Sequence, residues 1–283
     1  LHGRDSWDGA GATIVATTRY CAPGEDCPYE NAFWNGEQLV FGEGYALADD
    51  VVAHEFSHAV TGHTSHLFYY MQSGAINEAF SDIWGEFVDL SNSYDGSGGP
   101  VRWLVGEDLS GGAMRSLSDP SAYQYYLPEV GVQAYADSMT HPGYYCGTSD
   151  NGGVHLNSGI AAKAAYLLSD GGTFNGYTVA PLGISATSAL FYEAQTQLLT
   201  SGAGYADLSD ALIQAANNLV LDGVLASADI TQVQHAVAAV EMDEQPPACA
   251  VAEAPVCTTG LPLDAFSDDL EAVSYTHLTL PTK

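Results

Sequence analysis

The segment His54-Glu55-Phe56-Ser57-His58 limits the possible folds of this chain more than any other feature. Apolar residues around it recur at helical spacing, which predicts a helix over 50–63. Residues four apart on a helix share a face, so both imidazoles can reach one metal ion, with Glu55 beside that ion but not placed as a ligand. The alternative is a polar, solvent-facing helix that carries the short motif by coincidence.

A second predicted helix follows Ser73-Gly74 and runs to about residue 90. On it Glu78 and Asp82 are four residues apart and share a face. Glu78 can complete a set of two histidines and one carboxylate, which leaves a fourth position open as in catalytic zinc sites. Asp82 can accept the remaining ring N–H of a histidine ligand and orient that ring. The two helices together predict a zinc site.

The charge of the chain narrows its range of partners. Its 283 residues include 35 acidic and 6 basic side chains, for a formal net charge of -29. Binding to nucleic acid or to an anionic membrane surface requires a basic face, so we expect neither partner. No apolar run is long enough to predict a membrane span. Because only 14% of residues are charged and 11% are aromatic, we expect a folded chain with an acidic surface.

Changes in composition divide the chain into four parts. We expect residues 1–48 to be the remainder of a β-rich lobe whose upstream part is missing. Residues 49–242 hold the two site helices, a Gly- and Ser-rich loop over 92–112, and helical patterns at 157–169, 184–200, 207–221 and 228–240. Residues 243–272 resemble a linker and the start of a truncated accessory β-domain. Residues 273–283 resemble a translated sequencing adapter, and we expect them to be non-native.

The five cysteines favour an exported protein. Cys21 and Cys27 flank a short turn, and Cys249 and Cys257 flank a proline-containing stretch. Each pair suits a short-range disulfide, as expected in an oxidising compartment. Cys146 is left over, and we expect its partner in sequence outside this chain. Free thiols in a cytosolic protein are the alternative.

Several segments resemble the thermolysin-like neutral metalloproteases, whose zinc site has two histidines and one glutamate. The resemblance extends from about residue 2 to 240 and is carried by NAFWNG (31–36), HEFSH through WGEF (54–87), MRSLSDP (114–120) and DNGGVHLNSG (150–159). It implies an α+β, two-lobed fold, with a truncated β-rich N-terminal lobe, a mainly α-helical C-terminal lobe and the active site in the cleft between them. It also implies an upstream pro-segment, and we expect a monomer.

The resemblance assigns roles in hydrolysing peptide bonds on the N-terminal side of bulky apolar residues. The zinc ligands would be His54, His58 and Glu78, with Asp82 behind them. Glu55 would be the general base, and His155 and Tyr69 would stabilise the oxyanion, with Asp150 orienting His155. Tyr69 is preferred over its neighbour Tyr70 only by its offset from His58. Substrate would be bound by Asn31, Ala32, Arg115, Val51, Val105 and Met114.

The resemblance also implies calcium beside the two helices. Acidic residues cluster there in the family alignment, and carboxylate oxygens suit Ca²⁺. Arg102 stands where relatives usually have an aspartate, which favours one structural calcium over two. The cluster comprises Asp50, Asp89 and Glu107, together with Glu86 and Asp108.

Three other functions remain open. One is a catalytically inactive calcium-binding or peptide-binding module on the same fold. Another is an acid-rich calcium-binding protein with incidental histidines. The third is a zinc aminopeptidase, which would need a recognition segment for a free amine, and none is evident. We expect a secreted, zinc-dependent endopeptidase that acts on proteins or peptides.

Overall fold

The computed structural model describes residues 2–24, 27–91 and 102–249. Within them the expected α+β architecture is present, with a small sheet near the N-terminus followed by a mainly helical region. Most of the linker and all of the expected accessory domain and tail lie outside the described residues, as does Cys257. No helix in the described part of the chain combines the length and apolarity needed to span a bilayer.

Three short strands form the N-terminal sheet: β1 (Ala16–Thr17), β2 (Ala32–Trp34) and β3 (Leu39–Phe41). The central strand is β3, which pairs parallel with β1 and antiparallel with β2. Side chains of β2 and β3 pack with Val51 of the first helix in a small apolar cluster. Burial of this cluster attaches the sheet to the helical region.

Helices α1 (Asp49–Thr61) and α2 (Met71–Asp89) confirm the two helices predicted around the metal motif. Almost every residue of α2 is buried, so this helix runs through the centre of the main core. The two helices approach closely at Gly85, where an added Cβ would lie only 2.7 Å from the backbone oxygen of Asp50. A glycine at this position lets the two backbones meet.

Helix α3 (Asp150–Asp170) begins seven residues earlier than the sequence indicates. Its first four residues, Asp150, Asn151, Gly152 and Gly153, all have positive φ and form a left-handed turn. Aspartate, asparagine and glycine are the residue types that tolerate this conformation. Right-handed helix therefore starts only at Val154, one residue before His155.

The remaining helices agree with the sequence patterns. They are α4 (Ile184–Glu193), continued by a π-helical turn over Ala194–Leu198, then α5 (Tyr205–Leu221) and α6 (Asp229–Ala239). With α2 and α3 they enclose the main hydrophobic core, in which Phe80, Phe191 and Tyr205 are fully buried. Their apolar faces explain why periodicity alone located them.

Three antiparallel strand pairs in the C-terminal region were not predicted. They are β4 (Leu104–Val105) with β5 (Arg115–Ser116), β6 (Gln124–Leu127) with β7 (Gly131–Ala134), and β8 (Gly172–Phe174) with β9 (Tyr177–Val179). Each strand has two to four residues, too few for a clear alternation of polar and apolar side chains. Of the first pair, only β4 lies within the stretch 92–112 that was expected to be a loop.

One expected disulfide is wrong. Cys21 and Cys27 are bonded as predicted, but Cys249 is bonded to Cys146 rather than to Cys257. The chain after α6 runs back along residues 139–140: the backbone N–H of Met139 donates to Val240 O, and Thr140 donates to the carboxylate of Glu241. This contact brings together two cysteines 103 residues apart, a proximity that spacing in the sequence does not reveal.

Candidate active site

The structure brings His54, His58 and Glu78 together from α1 and α2. Their ligand atoms all lie within 4.8 Å of one another, and no other such group of three or more occurs among the described residues. The two Nε2 atoms are 3.1 Å apart, and the Glu78 carboxylate is 3.5 and 3.4 Å from them. Glu78 Oε2 is buried and has no hydrogen-bond partner. Two converging imidazoles and an orphaned carboxylate oxygen fit a zinc ion.

Hydrogen bonds behind the ligands fix both imidazole rings. His54 Nδ1 lies 2.8 Å from Asp82 Oδ1, and His58 Nδ1 lies 2.9 Å from Asn77 Oδ1. Such bonds hold the proton on Nδ1 and leave the Nε2 lone pair for a metal. Asp82 therefore lies beside a histidine of the group, as its spacing on the second helix predicted. Asn77 was missed, and apart from its position next to Glu78 no sequence signal pointed to it.

Asp82 also forms a two-pronged ion pair with Arg115. The guanidinium donates from Nε at 2.8 Å and from Nη2 at 2.6 Å. Burial alone would raise the pKa of Asp82, but Arg115 and His54 hold it below its usual range. For Glu78, burial is likewise outweighed by His155, His58 and His54, which lower its pKa to about 2. Both carboxylates are therefore ionised at neutral pH.

A cleft of about 520 Å³ opens above these residues. Strand β2 lines one side and α1 lines the floor, where the buried Glu55 side chain faces the cavity beside the two histidines. All six residues expected to bind substrate line this cleft: Asn31, Ala32, Val51, Val105, Met114 and Arg115. The Glu55 carboxylate, the group of His54, His58 and Glu78, and an apolar recess thus share one cavity.

His155 and Tyr69 also line the cleft. Asp150 accepts hydrogen bonds from His155 Nδ1 at 2.6 Å and from the His155 backbone N–H at 2.9 Å. The left-handed turn at the start of α3 allows one carboxylate to make both bonds. His155 Nε2 lies 3.5 Å from Glu78 Oε2, and the Tyr69 hydroxyl donates to Glu78 Oε1. Tyr69 lines the cleft, whereas its neighbour Tyr70 does not.

The surroundings of His155 and Tyr69 raise the pKa of both side chains. Burial lowers the pKa of His155, but the charges of Glu78 and Asp150 outweigh it and raise the pKa overall. Burial and the adjacent Glu78 raise the pKa of Tyr69, so its hydroxyl keeps its proton. Two proton-bearing groups can thus face the position beside His54, His58 and Glu78.

Several aromatic residues of the cleft were not predicted from the sequence. Tyr125 of β6 stacks on His155 with ring centroids 5.5 Å apart and planes 12° apart. Phe33, Trp34 and Tyr45 line the side that carries β2. No motif marks Tyr125, because a short strand that was not predicted brings it to the site.

An acidic cluster next to α1 and α2 contains unpartnered oxygens. Glu86 Oε2, Asp89 Oδ2 and Glu107 Oε2 are buried without a hydrogen-bond partner. Burial raises the pKa of Glu86 to about 9, of Glu107 to about 7 and of Asp89 to about 6, with neighbouring carboxylates adding to each shift. Arg102 pairs instead with Asp170, at 2.7 Å. Orphaned carboxylate oxygens of this kind fit a hard cation such as Ca²⁺.

Comparisons with known proteins agree with this geometry. Residues 1–62 match the family described as "Thermolysin metallopeptidase, catalytic domain", and residues 65–242 match "Thermolysin metallopeptidase, alpha-helical domain". A zinc metalloproteinase of Renibacterium salmoninarum is 41% identical over 246 residues, which are 85% of this chain and 44% of that protein. Bacillolysin of Brevibacillus brevis is also 41% identical, over 77% of this chain and 39% of its own length.

A solved structure is similar as well. The precursor of protealysin, a metalloproteinase from Serratia proteamaculans, superposes with a TM-score of 0.65 at 29% identity, covering 84% of this chain and 72% of that one. The chain spans less than half the length of the curated relatives described above. Matches to both domain families cover nearly all residues from 1 to 242, and the chain therefore belongs to the thermolysin metallopeptidase family.

Proposed function

We propose that this chain is the catalytic part of a secreted zinc endopeptidase. The observation that carries the proposal is the convergence of His54, His58 and Glu78 in a cleft that also holds Glu55. The names of the relatives, zinc metalloproteinase and bacillolysin, support the same activity. The proposed substrates are proteins or peptides.

Glu55 is the proposed general base. A zinc ion held by the three ligands would act as a Lewis acid and lower the pKa of a bound water toward ~7. The Glu55 carboxylate takes a proton from the attacking water as its oxygen adds to the peptide carbonyl carbon. It then passes this proton to the amide nitrogen, and the C–N bond breaks. Asp82 and Asn77 keep the ligand imidazoles oriented throughout.

His155 and Tyr69 are the proposed donors to the carbonyl oxygen as it gains negative charge. Both have a proton-bearing group facing the ligand carboxylate Glu78, at His155 Nε2 and at the Tyr69 hydroxyl. Asp150 holds Nδ1 of His155 and so turns Nε2 toward the cleft. Donors placed in advance stabilise the transition state without reorganising during the reaction.

The other cleft residues are proposed to bind the substrate chain. Asn31 and Ala32, at the start of β2, would hold its extended backbone, and Arg115 would contact a carbonyl while anchored by Asp82. Val51, Val105 and Met114 make the adjoining recess apolar. Such a recess favours a bulky apolar side chain directly after the cleaved bond.

We also propose one structural calcium ion at Asp50, Asp89 and Glu107, with Glu86 as a further ligand. The support is the buried, unpartnered carboxylate oxygens of Glu86, Asp89 and Glu107. Asp50 is buried near them, and its carboxylate also accepts from the backbone N–H groups of Val51 and Gly106. Arg102 is occupied by Asp170 and does not neutralise the cluster. Calcium takes more ligands at longer distances than zinc does, and it prefers oxygen, which suits a cluster of carboxylates.

Secretion, an upstream pro-segment and a monomeric state complete the proposal. Two disulfides support an oxidising compartment. We propose that the β-rich lobe ends near residue 48, that the helical lobe covers 49–242, that 243–272 lead into another domain and that 273–283 are non-native. The similar protealysin structure is a precursor, which favours a pro-segment here too.

Cleavage of an internally quenched peptide tests the activity. The peptide carries leucine or phenylalanine after the bond to be cut, and a second peptide carries aspartate there. We expect the full chain to cleave the first, zinc chelation to stop cleavage, and Glu55→Ala to lower kcat by at least ~100-fold. Glu37→Ala, on the exposed turn before β3, is the matched control and should keep full activity.

The zinc content of the purified chain distinguishes between the possible negative results of this experiment. A chain that binds one zinc per molecule but cleaves neither peptide would contradict the endopeptidase and favour an inactive binding module. Cleavage that survives both the chelator and Glu55→Ala would contradict the proposed mechanism. Preference for the peptide with aspartate would contradict the proposed specificity alone.

A further inference from the structure

The hairpin of β6 and β7 forms a wall of the cleft next to His155. Its strands pair through Gln124–Ala134, Tyr125–Gln133, Tyr126–Val132 and Leu127–Gly131. Neighbouring residues of a strand point to opposite faces, so Tyr125 and Tyr126 face different surroundings. Tyr125 is half-buried and lines the cleft, whereas Tyr126 is 66% exposed.

The Tyr125 ring lies nearly parallel to the imidazole of His155. The planes differ by 12°, and the centroids are 5.5 Å apart, which is an offset-stacked geometry. Asp150 holds Nδ1 of the same imidazole at 2.6 Å. A single side-chain hydrogen bond fixes the direction of one ring nitrogen but still permits the ring to tilt about that bond. A flat ring against one face of the imidazole opposes this tilt.

Tyr125 is itself supported from behind. Its ring packs edge-to-face with Tyr135, at a centroid distance of 6.2 Å. Tyr135 is only 2% exposed and lies near Arg115, whose charge counteracts the burial that raises the Tyr135 pKa to about 12. Arg115 is held in place by its ion pair with Asp82. Contacts therefore extend from Tyr125 through Tyr135 and Arg115 to Asp82, which orients one of the proposed metal ligands. Tyr125 therefore has little room to move away from His155.

We propose that Tyr125 is a positioning residue that fixes the plane of the His155 imidazole, so that Nε2 points at the place where the substrate oxygen gains charge. The proposal rests on the proposed function of the cleft. Tyr125 acts through His155 and needs no contact with substrate. Its ring matters for this role, and its hydroxyl, which has no hydrogen bond to His155 or Asp150 in the described structure, does not.

Three variants test this role kinetically. Tyr125→Leu fills similar space without a flat ring, and we expect kcat to fall about 10-fold, because loss of a stacked pair is amplified by misplacement of the reacting group. KM should change less than about twofold, because the substitution weakens stabilisation of the transition state and not binding of the substrate. Tyr125→Phe should retain kcat within about twofold. Tyr126→Leu, the adjacent exposed position, is the matched control and should behave like the unsubstituted chain.

A double-mutant cycle identifies the residue through which Tyr125 acts. In the His155→Ala background, Tyr125→Leu should cause no further loss of kcat, because the ring it positions is absent. If the fold-losses of kcat in the two single variants multiply in the double variant, Tyr125 acts independently of His155, and this result would overturn the proposal. A rise in KM with unchanged kcat would overturn it too, since Tyr125 would then bind substrate. Equal loss in Tyr125→Phe and Tyr125→Leu would assign the effect to the hydroxyl.

An NMR measurement tests the contact independently of activity. In protein labelled at histidine Cε1, stacking should shift the His155 Cε1–H resonance upfield, with assignment from His155→Asn. We expect Tyr125→Leu to remove the shift, while Tyr125→Phe and Tyr126→Leu retain it. An unshifted resonance in the unsubstituted chain would overturn the proposal even if the enzyme is active. A shifted resonance in a chain without peptidase activity would instead indicate failure of the proposed function alone.

Discussion

At the scale of single residues, Tyr69 and Tyr70 are a natural pair for comparison. Both are partly exposed aromatic residues, but only the Tyr69 hydroxyl reaches Glu78 in the cleft. We predict that Tyr69→Phe lowers kcat about 100-fold, as expected when one donor to the oxyanion is lost, while Tyr70→Phe leaves kcat unchanged. Steady-state kinetics on the quenched peptide measure both. Similar losses in the two variants would contradict the assignment of Tyr69.

The buried carboxylates near α2 give the protein an unusual dependence on pH. The pKa of Glu86 is raised from 4.5 to about 9, so between these values the folded chain holds a proton that the unfolded chain has released. Without calcium, the free energy of unfolding should therefore fall as pH rises from 5 to 8. Bound calcium favours the ionised cluster and should remove most of this fall.

Thermal unfolding with saturating zinc, with and without calcium, measures this effect at both pH values. Zinc is kept bound so that the histidine ligands do not titrate in the same range. Glu86→Gln, which imitates the protonated acid, should flatten the calcium-free pH profile, and the exposed Glu37→Gln should not. A calcium-free protein that gains stability from pH 5 to pH 8 would contradict the prediction.

At the scale of elements, the contact between α1 and α2 determines how His54 and His58 meet Glu78. A Cβ at position 85 would meet the backbone oxygen of Asp50 at 2.7 Å, and a backbone atom cannot rotate away. We predict that Gly85→Ala separates the helices, lowers stability by about 1–3 kcal/mol and weakens zinc binding. Denaturant unfolding and competition with a zinc indicator measure the two effects.

Gly111→Ala is the matched control for this substitution. Nothing lies within 4 Å of a Cβ at position 111, and no strained backbone conformation is needed there. Stability and zinc affinity should therefore be unchanged. If Gly85→Ala is equally harmless, the close approach of the two helices does not matter for the site.

For the whole molecule, the bond between Cys146 and Cys249 closes a loop of about a hundred residues. In the chain-entropy account such a loop contributes about 4.7 kcal/mol to stability, and engineered examples often deliver less. We predict equal destabilisation by Cys146→Ser and Cys249→Ser, with no further loss when both are combined. Non-reducing peptide mapping should link the segments that contain 146 and 249. A link between Cys249 and Cys257 would contradict the observed connectivity.

The sequence was informative where residues that are close in sequence share a face of one helix. His54 and His58 share a face because they are four residues apart on α1, and Glu78 and Asp82 share one on α2 for the same reason. The helices from α4 to α6 followed from apolar periodicity. The left-handed turn before Val154 was not predicted, although its residues, Asp150 to Gly153, are of the types that permit it.

Only the tertiary structure decided which distant residues meet. Tyr125 reaches His155 through a short hairpin without a sequence signal, and Cys146 finds Cys249 because the chain after α6 returns along residues 139–140. By itself the sequence predicted the helices and the residues that share a face on each of them, because local spacing on a helix dictates local geometry. Contacts across 30 or 100 residues depend on how buried surfaces pack, and no periodic pattern encodes that packing.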